Sequence, residues 1–79
     1  MKEVRLPSLA EDQVDATVIR WLHREGDRVQ AGEPILEVET DKAAVEIESP
    51  ASGRLREIRA QEGDVVPVET VVAVIDEED

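Results

Sequence analysis

Glu25-Gly26-Asp27-Arg28-Val29 recurs 37 residues later as Glu62-Gly63-Asp64-Val65-Val66, and this repeat is the strongest constraint on what the chain can become. The same offset lays Val18 on Leu55, Trp21 on Ile58, Ile35 on Val72 and Val38 on Ile75. Each half reads strand, Gly-Asp turn, short connection, strand. Neither half is long enough to bury its apolar face alone, so the two must pack on each other about an approximate two-fold axis. Gly26 and Gly63 suit turns that need positive φ, and the Asp after each can bond the local backbone. Pro34, Pro50 and Pro67 fall at strand edges or connections, where a missing N–H does least harm. Strands are expected near 2–6, 16–22, 34–39, 44–48, 53–59 and 71–76, with short pieces near 28–30 and 65–67. The expected fold class is all-β, a small flattened barrel or sandwich without a long helix.

Composition narrows the function. A chain of 79 residues makes one small domain, near the size at which a single core just suffices. Its one aromatic residue is Trp21, so the core must be built from Val, Ile and Leu, which favours strands. Trp21 is read as core because its repeat mate is Ile58; a ligand platform is the alternative. A net charge of −11 argues against nucleic acid or an anionic membrane as partner and suits docking against basic clefts of other proteins. No cysteine is present, so the chain has neither disulfide nor thiol chemistry of its own. Met1-Lys2-Glu3 runs straight into strand-like Val4-Arg5-Leu6, with no signal peptide or membrane span to be read. The expected location is the cytoplasm of a bacterium, or the mitochondrial matrix in a eukaryote, and not outside the cell.

Chemistry concentrates at Glu39-Thr40-Asp41-Lys42-Ala43. Leu36-Glu37-Val38-Glu39 before it and Val45-Glu46-Ile47-Glu48 after it alternate apolar and acidic residues, the pattern of two half-buried strands joined as a hairpin. A type I turn suits the link, since Asp is favoured early in that turn and no residue there needs positive φ. Lys2 and Lys42 are the only lysines; the other seven cationic side chains are Arg. A guanidinium is a poor acylation target, whereas an amine that loses its proton is a nucleophile, so Lys42 is the residue a modification would use. Tip lysines are also commonly solvated and inert, and the turn alone does not choose between these readings. The two-fold relation adds a geometric expectation. The position equivalent to Lys42 falls at the C-terminus, so the lysine turn and the chain ends should lie at opposite ends of the domain.

Glu39-Thr40-Asp41-Lys42-Ala43, then Val45-Glu46-Ile47-Glu48-Ser49-Pro50 and Gly53, resemble the lipoyl domains of the acyltransferase subunits of 2-oxo acid dehydrogenase complexes. The likeness extends to Trp21, Glu25-Gly26-Asp27 and Val29 upstream, and to Glu62-Gly63-Asp64 and Val68 downstream. It implies a biotinyl/lipoyl-like hammerhead barrel of two four-stranded antiparallel sheets over residues 1–76, with 77–79 beginning an acidic linker of a longer subunit. It implies lipoate in amide linkage on Lys42, with Asp41 and Ala43 presenting that lysine to a lipoate-attaching ligase. No catalytic residue is implied in the chain itself, which is not an enzyme as an isolated domain. Its cofactor would be acylated by a thiamine-diphosphate 2-oxo acid decarboxylase, deacylated to coenzyme A at the subunit's own acyltransferase core, and reoxidised by dihydrolipoyl dehydrogenase. Tethering then serves effective concentration rather than tight binding. The isolated domain is expected to be a monomer.

The same resemblance places the loop after the first strand, Leu9-Ala10-Glu11-Asp12-Gln13-Val14, beside the lysine turn. Glu11, Asp12 and Gln13, together with Glu37, Glu39 and Glu46, are the expected partner-recognition residues. Many relatives carry a glycine in that loop, which this chain lacks. Glu69 also stands where a glycine is usual, its repeat mate being Gly32, and a local backbone adjustment is expected there. Asp-Lys-Ala followed by Val-Glu-Ile-Glu-Ser-Pro looks more like the pyruvate or branched-chain members than the 2-oxoglutarate members, with pyruvate preferred. A biotinyl carrier shares the fold and the hairpin lysine, but methionines usually flank that lysine; an unmodified barrel serving only for interaction is the other alternative. His23, which begins a faint His-x-x-x-Asp pattern, is read as a surface residue. Glu37, Glu39, Glu46 and Glu48 have the spacing of one strand face and are read as a solvated acidic surface rather than a metal site.

Overall fold

The computed structural model describes residues 1–8 and 13–77. Eight strands form: β1 (Lys2–Arg5), β2 (Asp15–Trp21), β3 (Arg28–Val29), β4 (Pro34–Glu39), β5 (Ala44–Glu48), β6 (Gly53–Ile58), β7 (Val65–Pro67) and β8 (Val71–Glu77). Each lies where alternation and turn residues put it, with ends moved by one residue. They pair antiparallel into two four-stranded sheets, β1-β8-β6-β3 and β5-β4-β2-β7. The 37-residue offset carries β2, β3 and β4 onto β6, β7 and β8, and the matching sheet orders make β5 the counterpart of β1. Leu36 opposite Ile47 in one sheet therefore repeats as Ala73 opposite Val4 in the other.

The two-fold relation is visible bond by bond. Gly26 N donates to Leu55 O at 2.7 Å and Gly63 N to Val18 O at 2.8 Å, while Leu55 N donates to Asp27 O and Val18 N to Asp64 O, both at 2.8 Å. Each Gly-Asp turn thus clasps a strand of the opposite half. Gly26 and Gly63 have φ of 94° and 92°, the left-handed region that glycine enters without a Cβ clash. The Asp that follows closes each turn: Asp27 Oδ2 accepts from Arg24 N, and Asp64 Oδ2 from Gln61 N, both at 2.9 Å. Even the bulge repeats, between Val18 and Arg20 on β2 and between Leu55 and Glu57 on β6. Between the sheets the repeat-paired residues Val18, Leu55, Ile35, Val72, Val38 and Ile75 are all buried, joined by Leu6, Val29 and Leu36.

Two expectations are corrected. Trp21 is not a core residue but a half-buried one packed on the margin of the core, as is its mate Ile58. Its indole N–H donates to Ala60 O at 2.8 Å, a bond an aliphatic side chain could not make, and this keeps the ring at the rim with its polar edge satisfied. Nor does the backbone adjust at Glu69. It takes φ of 70°, the left-handed conformation of its mate Gly32 at 87°, because Glu69 N must reach Leu6 O at 2.7 Å just as Gly32 N reaches Ser49 O at 2.9 Å. The chain keeps the bond and accepts the steric cost of a Cβ in that region.

Trp21→Ala is accordingly expected to cost about 2–3 kcal/mol, below the range of a fully buried tryptophan, because it removes part-buried apolar area and leaves Ala60 O without its donor. Urea unfolding followed by circular dichroism measures it, and a loss under about 1 kcal/mol would place the ring outside the cooperative core. Glu69→Gly should stabilise the domain by about 0.5 kcal/mol, the relief of left-handed strain exceeding the added chain entropy of glycine. A lower unfolding midpoint would contradict that sign.

Candidate functional site

The hairpin is registered by its inward residues. Leu36 and Val38 on β4 and Ile47 on β5 are buried, and Val38 faces Val45 across the ladder. A slip of one residue would turn Glu37, Glu39 and Glu46 into the core, so the pairing Glu39 with Ala44 is strongly held. That pairing leaves four residues, Thr40 to Ala43, to close the end.

Thr40 organises this turn. Its N–H donates to Ala43 O at 2.9 Å, and its Oγ1 accepts from both Lys42 N and Ala43 N at 3.2 Å while lying 3.2 Å from Ala43 O, to which it can donate. No residue of the turn has positive φ, in keeping with type I geometry. Lys42 is exposed, and its Nζ forms no hydrogen bond or ion pair with another described residue. Asp41 and Ala43 flank it, also exposed. The hydroxyl of Thr40, quoted in the motif but given no role in the sequence reading, is the group that bonds the backbone on both sides of the lysine Cα. A hydroxyl two residues before a hairpin-tip lysine, able to form a local side-chain-to-backbone turn, was the available signal.

Beside the turn lies a cleft lined by Gln13, Val14, Asp15, Thr17, Glu39, Thr40 and Asp41. Gln13 is thereby brought to the lysine end of the domain, its Nε2 donating to Asp15 O at 3.1 Å. Glu11 and Asp12 lie outside the described residues. Glu37 and Glu46 sit opposite each other across the β4–β5 ladder, with Glu39 next along β4. These carboxylates differ in character. Glu37 Oε1 takes Arg20 Nε at 3.0 Å, whereas Glu39, Asp41 and Glu46 form no ion pair with a described residue. Among the described residues, the outer face around the tip is therefore acidic and largely uncompensated.

The remaining sequence candidates do not gather here. His23 is half-buried rather than a plain surface side chain, with Nδ1 3.5 Å from Asp27 Oδ2 and Nε2 3.5 Å from Glu33 Oε1, bracing the first Gly-Asp turn. Among the described residues, no group of three or more His, Asp or Glu side chains is arranged to hold a metal ion. Under the two-fold relation, the turn joining β4 to β5 corresponds to the gap between the end of β8 and the start of β1. The domain is 37 Å along its longest axis, and the sheet orders give the lysine turn and the outer ends of β1 and β8 equivalent places in the two sheets. An uncommitted amine on a braced, exposed tip can form an amide with a carboxylic acid and swing it freely, so the residues present fit a lysine-linked cofactor.

Comparison with known proteins agrees with this geometry. The family model described as "Biotin-requiring enzyme" matches residues 2–75. A succinyltransferase component of the 2-oxoglutarate dehydrogenase complex of Staphylococcus saprophyticus is 47% identical over 77 residues, covering 98% of the chain and 18% of that protein. The acetyltransferase component of the pyruvate dehydrogenase complex of Corynebacterium glutamicum is 45% identical over 76 residues, 96% of the chain and 11% of that protein. The chain thus spans less than a fifth of the curated relatives it matches. Among solved structures, the lipoyl domain of the 2-oxoglutarate dehydrogenase complex of Azotobacter vinelandii superposes with a TM-score of 0.79 at 31% identity, covering 98% of both chains. Lipoyl domains carry lipoate in covalent linkage on a lysine. With its repeat, its two matched sheets and its hairpin lysine, the chain belongs to the biotin- and lipoyl-attachment family of domains and is one of its lipoyl domains.

Proposed function

We propose that the domain is a swinging-arm acyl carrier of a 2-oxo acid dehydrogenase complex, lipoylated on Lys42. The observation that carries this reading is Lys42, exposed and unpaired among the described residues, on a turn braced by Thr40 in a lipoyl-domain fold. The Lys42 amine, neutral once deprotonated, attacks the carbonyl carbon of a carboxyl group activated by the ligase. The bond to the activating group breaks, that group departs, a proton leaves the nitrogen, and the product amide is uncharged. Bound there, lipoate supplies a cyclic disulfide on a flexible stem that accepts an acyl group together with two electrons. The chain contributes position. Thr40 fixes the backbone either side of Lys42, and the buried hairpin residues Leu36, Val38 and Ile47 anchor the strands that carry the turn.

The partners of this reading are a thiamine-diphosphate 2-oxo acid decarboxylase that charges the domain, an acyltransferase core that passes the acyl group to coenzyme A, a dihydrolipoyl dehydrogenase that resets it, and a ligase that attaches lipoate. Acyltransferase components of both pyruvate and 2-oxoglutarate complexes are similar to the chain at 45% and 47% identity. The Asp-Lys-Ala and Val-Glu-Ile-Glu-Ser-Pro flanks support pyruvate within that class, and the reading suits a bacterial cytoplasm or a mitochondrial matrix. Reductive acylation with purified pyruvate, branched-chain and 2-oxoglutarate decarboxylases tests the choice by which specificity constant is highest. The matching family model takes in biotin carriers too, and the intact mass of protein made in a lipoate- and biotin-proficient host separates the two attachments.

Lys42→Arg is expected to abolish modification and acyl carriage while changing stability by less than about 0.5 kcal/mol, since the tip side chain is exposed. Mass spectrometry and thermal melting read both. Modification at Lys2 in that variant, or a collapsed melting temperature, would sink the assignment.

Recognition through the folded surface has its own signature. Glu39→Gln with Glu46→Gln should slow reductive acylation severalfold at low ionic strength and progressively less as salt is raised, because both charges are exposed and screened. Glu37→Gln should do less, its charge being already matched by Arg20. A lipoylated peptide covering residues 37–48 should be a far poorer substrate than the domain, having lost the preorganised turn and the neighbouring cleft. Equal specificity constants for peptide and domain across the salt series would refute recognition through the fold.

A further inference from the structure

The two-fold relation allows each exposed residue to be compared with the one that occupies the same backbone site in the sister sheet. On the outer face of the lysine-bearing sheet, Thr17 lies opposite Val65; at the matching place in the other sheet, Arg54 lies opposite Arg28. Ile19, the extra residue of the β2 bulge, corresponds to Arg56 in the β6 bulge, and Pro67 corresponds to Gln30. Folding is therefore satisfied by arginine or glutamine at these sites, and nothing about the backbone calls for apolar residues. Val65 is nevertheless 63% exposed and Ile19 36% exposed. With Met1 and Val14 they are the exposed large hydrophobic residues among those described, and Val14 lines the cleft beside Lys42. Of these four, Ile19 and Val65 lie on strands of the sheet that carries the reactive turn, Val14 lies just before β2, and Met1 lies just before β1.

We propose that the outer face of β2 and β7, formed by Thr17, Ile19, Val65 and Pro67, docks the 2-oxo acid decarboxylase and extends its recognition of the domain from the turn onto the flank of the sheet. This rests on the acyl-carrier reading above. The face is continuous with the lysine end, since Asp15 and Thr17 line the cleft beside the turn and pair with Pro67 and Val65 on β7. It is bordered on β4 and β5 by Glu37, Glu39 and Glu46. Its complement is a surface with an apolar centre and a basic margin on the side toward the tip. A decarboxylase acts at the far end of the arm and meets the domain beside the hairpin, whereas a ligase acts on Lys42 Nζ itself and must cover the tip. A flank surface therefore suits the decarboxylase.

The test installs on this face the residues its sister face already carries. Val65→Arg and Ile19→Arg, singly and together, are compared with wild type and with Arg56→Ile as the control on the other sheet. Each protein is lipoylated, its modification checked by intact mass and its fold by thermal melting, and reductive acylation is measured with the decarboxylase that best uses the wild type. Each substitution should lower kcat/KM about tenfold through KM, with kcat held, while Arg56→Ile stays within about twofold. Val65→Ser, which removes apolar area without adding charge, should act in the same direction to a smaller extent. A fully lipoylated double variant acylated at the wild-type rate would overturn the proposal. Slower lipoylation with unchanged acylation would also overturn it by moving the surface to the ligase. A wild-type domain that becomes lipoylated but is acylated by no 2-oxo acid decarboxylase would instead remove the carrier reading, and this surface with it.

Discussion

Four backbone hydrogen bonds hold the two halves of this domain in register, and the rest of the structure depends on them. Gly26 and Asp27 clasp Leu55, and Gly63 and Asp64 clasp Val18. Leu55 and Val18 are both buried, so each clasp joins a solvent-facing turn to a core strand of the opposite half. A buried backbone group without a partner carries a desolvation cost comparable to a lost hydrogen bond, which makes these pairings close to obligatory once the sheets meet. They also explain why the Gly-Asp pair repeats. Glycine supplies the left-handed φ, and the Asp carboxylate caps the turn that presents the clasp.

The reactive end inherits its rigidity from that frame. Leu36, Val38 and Ile47 anchor the hairpin in the core shared by both halves, which leaves only the four residues from Thr40 to Ala43 without support from packing. Thr40 supplies what packing does not, through one hydroxyl that bonds the backbone of Lys42 and Ala43. The backbone at the tip is braced while the lysine side chain is uncommitted. A carrier needs that combination, since partners must find the attachment point at a defined place and the arm must still move.

A duplicated fold separates residues that serve folding from residues that serve something else. Positions that agree across the repeat, such as Val38 with Ile75 and Asp27 with Asp64, fill the core or close turns. Exposed positions that disagree lie outside the core, although Arg54 still serves the first Gly-Asp turn by donating to Gly26 O at 2.9 Å. On one sheet they are Arg28, Arg54 and Arg56; on the other they are Val65, Thr17 and Ile19, next to the acidic hairpin. The exposed aliphatic residues of the lysine-bearing sheet come from those departures.

The eight strands, their two-fold relation and the lysine at the hairpin tip were legible in the sequence, because each rests on a short-range pattern: period-two alternation, Gly-Asp turns and a turn lysine in a chain that otherwise favours arginine. Their consequences across the fold were not. The repeat alone made Trp21 a core residue, yet the donor it needs to satisfy, and the carbonyl of Ala60 that satisfies it, meet only when residues 39 apart in sequence are brought together. Glu69 looked like a site where the backbone would yield, but the hydrogen bond to Leu6, 63 residues away, holds it in the left-handed region. The bracing by Thr40 depends on turn geometry that the pairing of β4 with β5 imposes. The apolar face of Ile19 and Val65 exists only because β2 and β7 become neighbours. Local propensity and periodicity determined which segments became strands and where the reactive residue stands; long-range pairing decided which polar groups are satisfied, which strain is tolerated and which side chains share a surface.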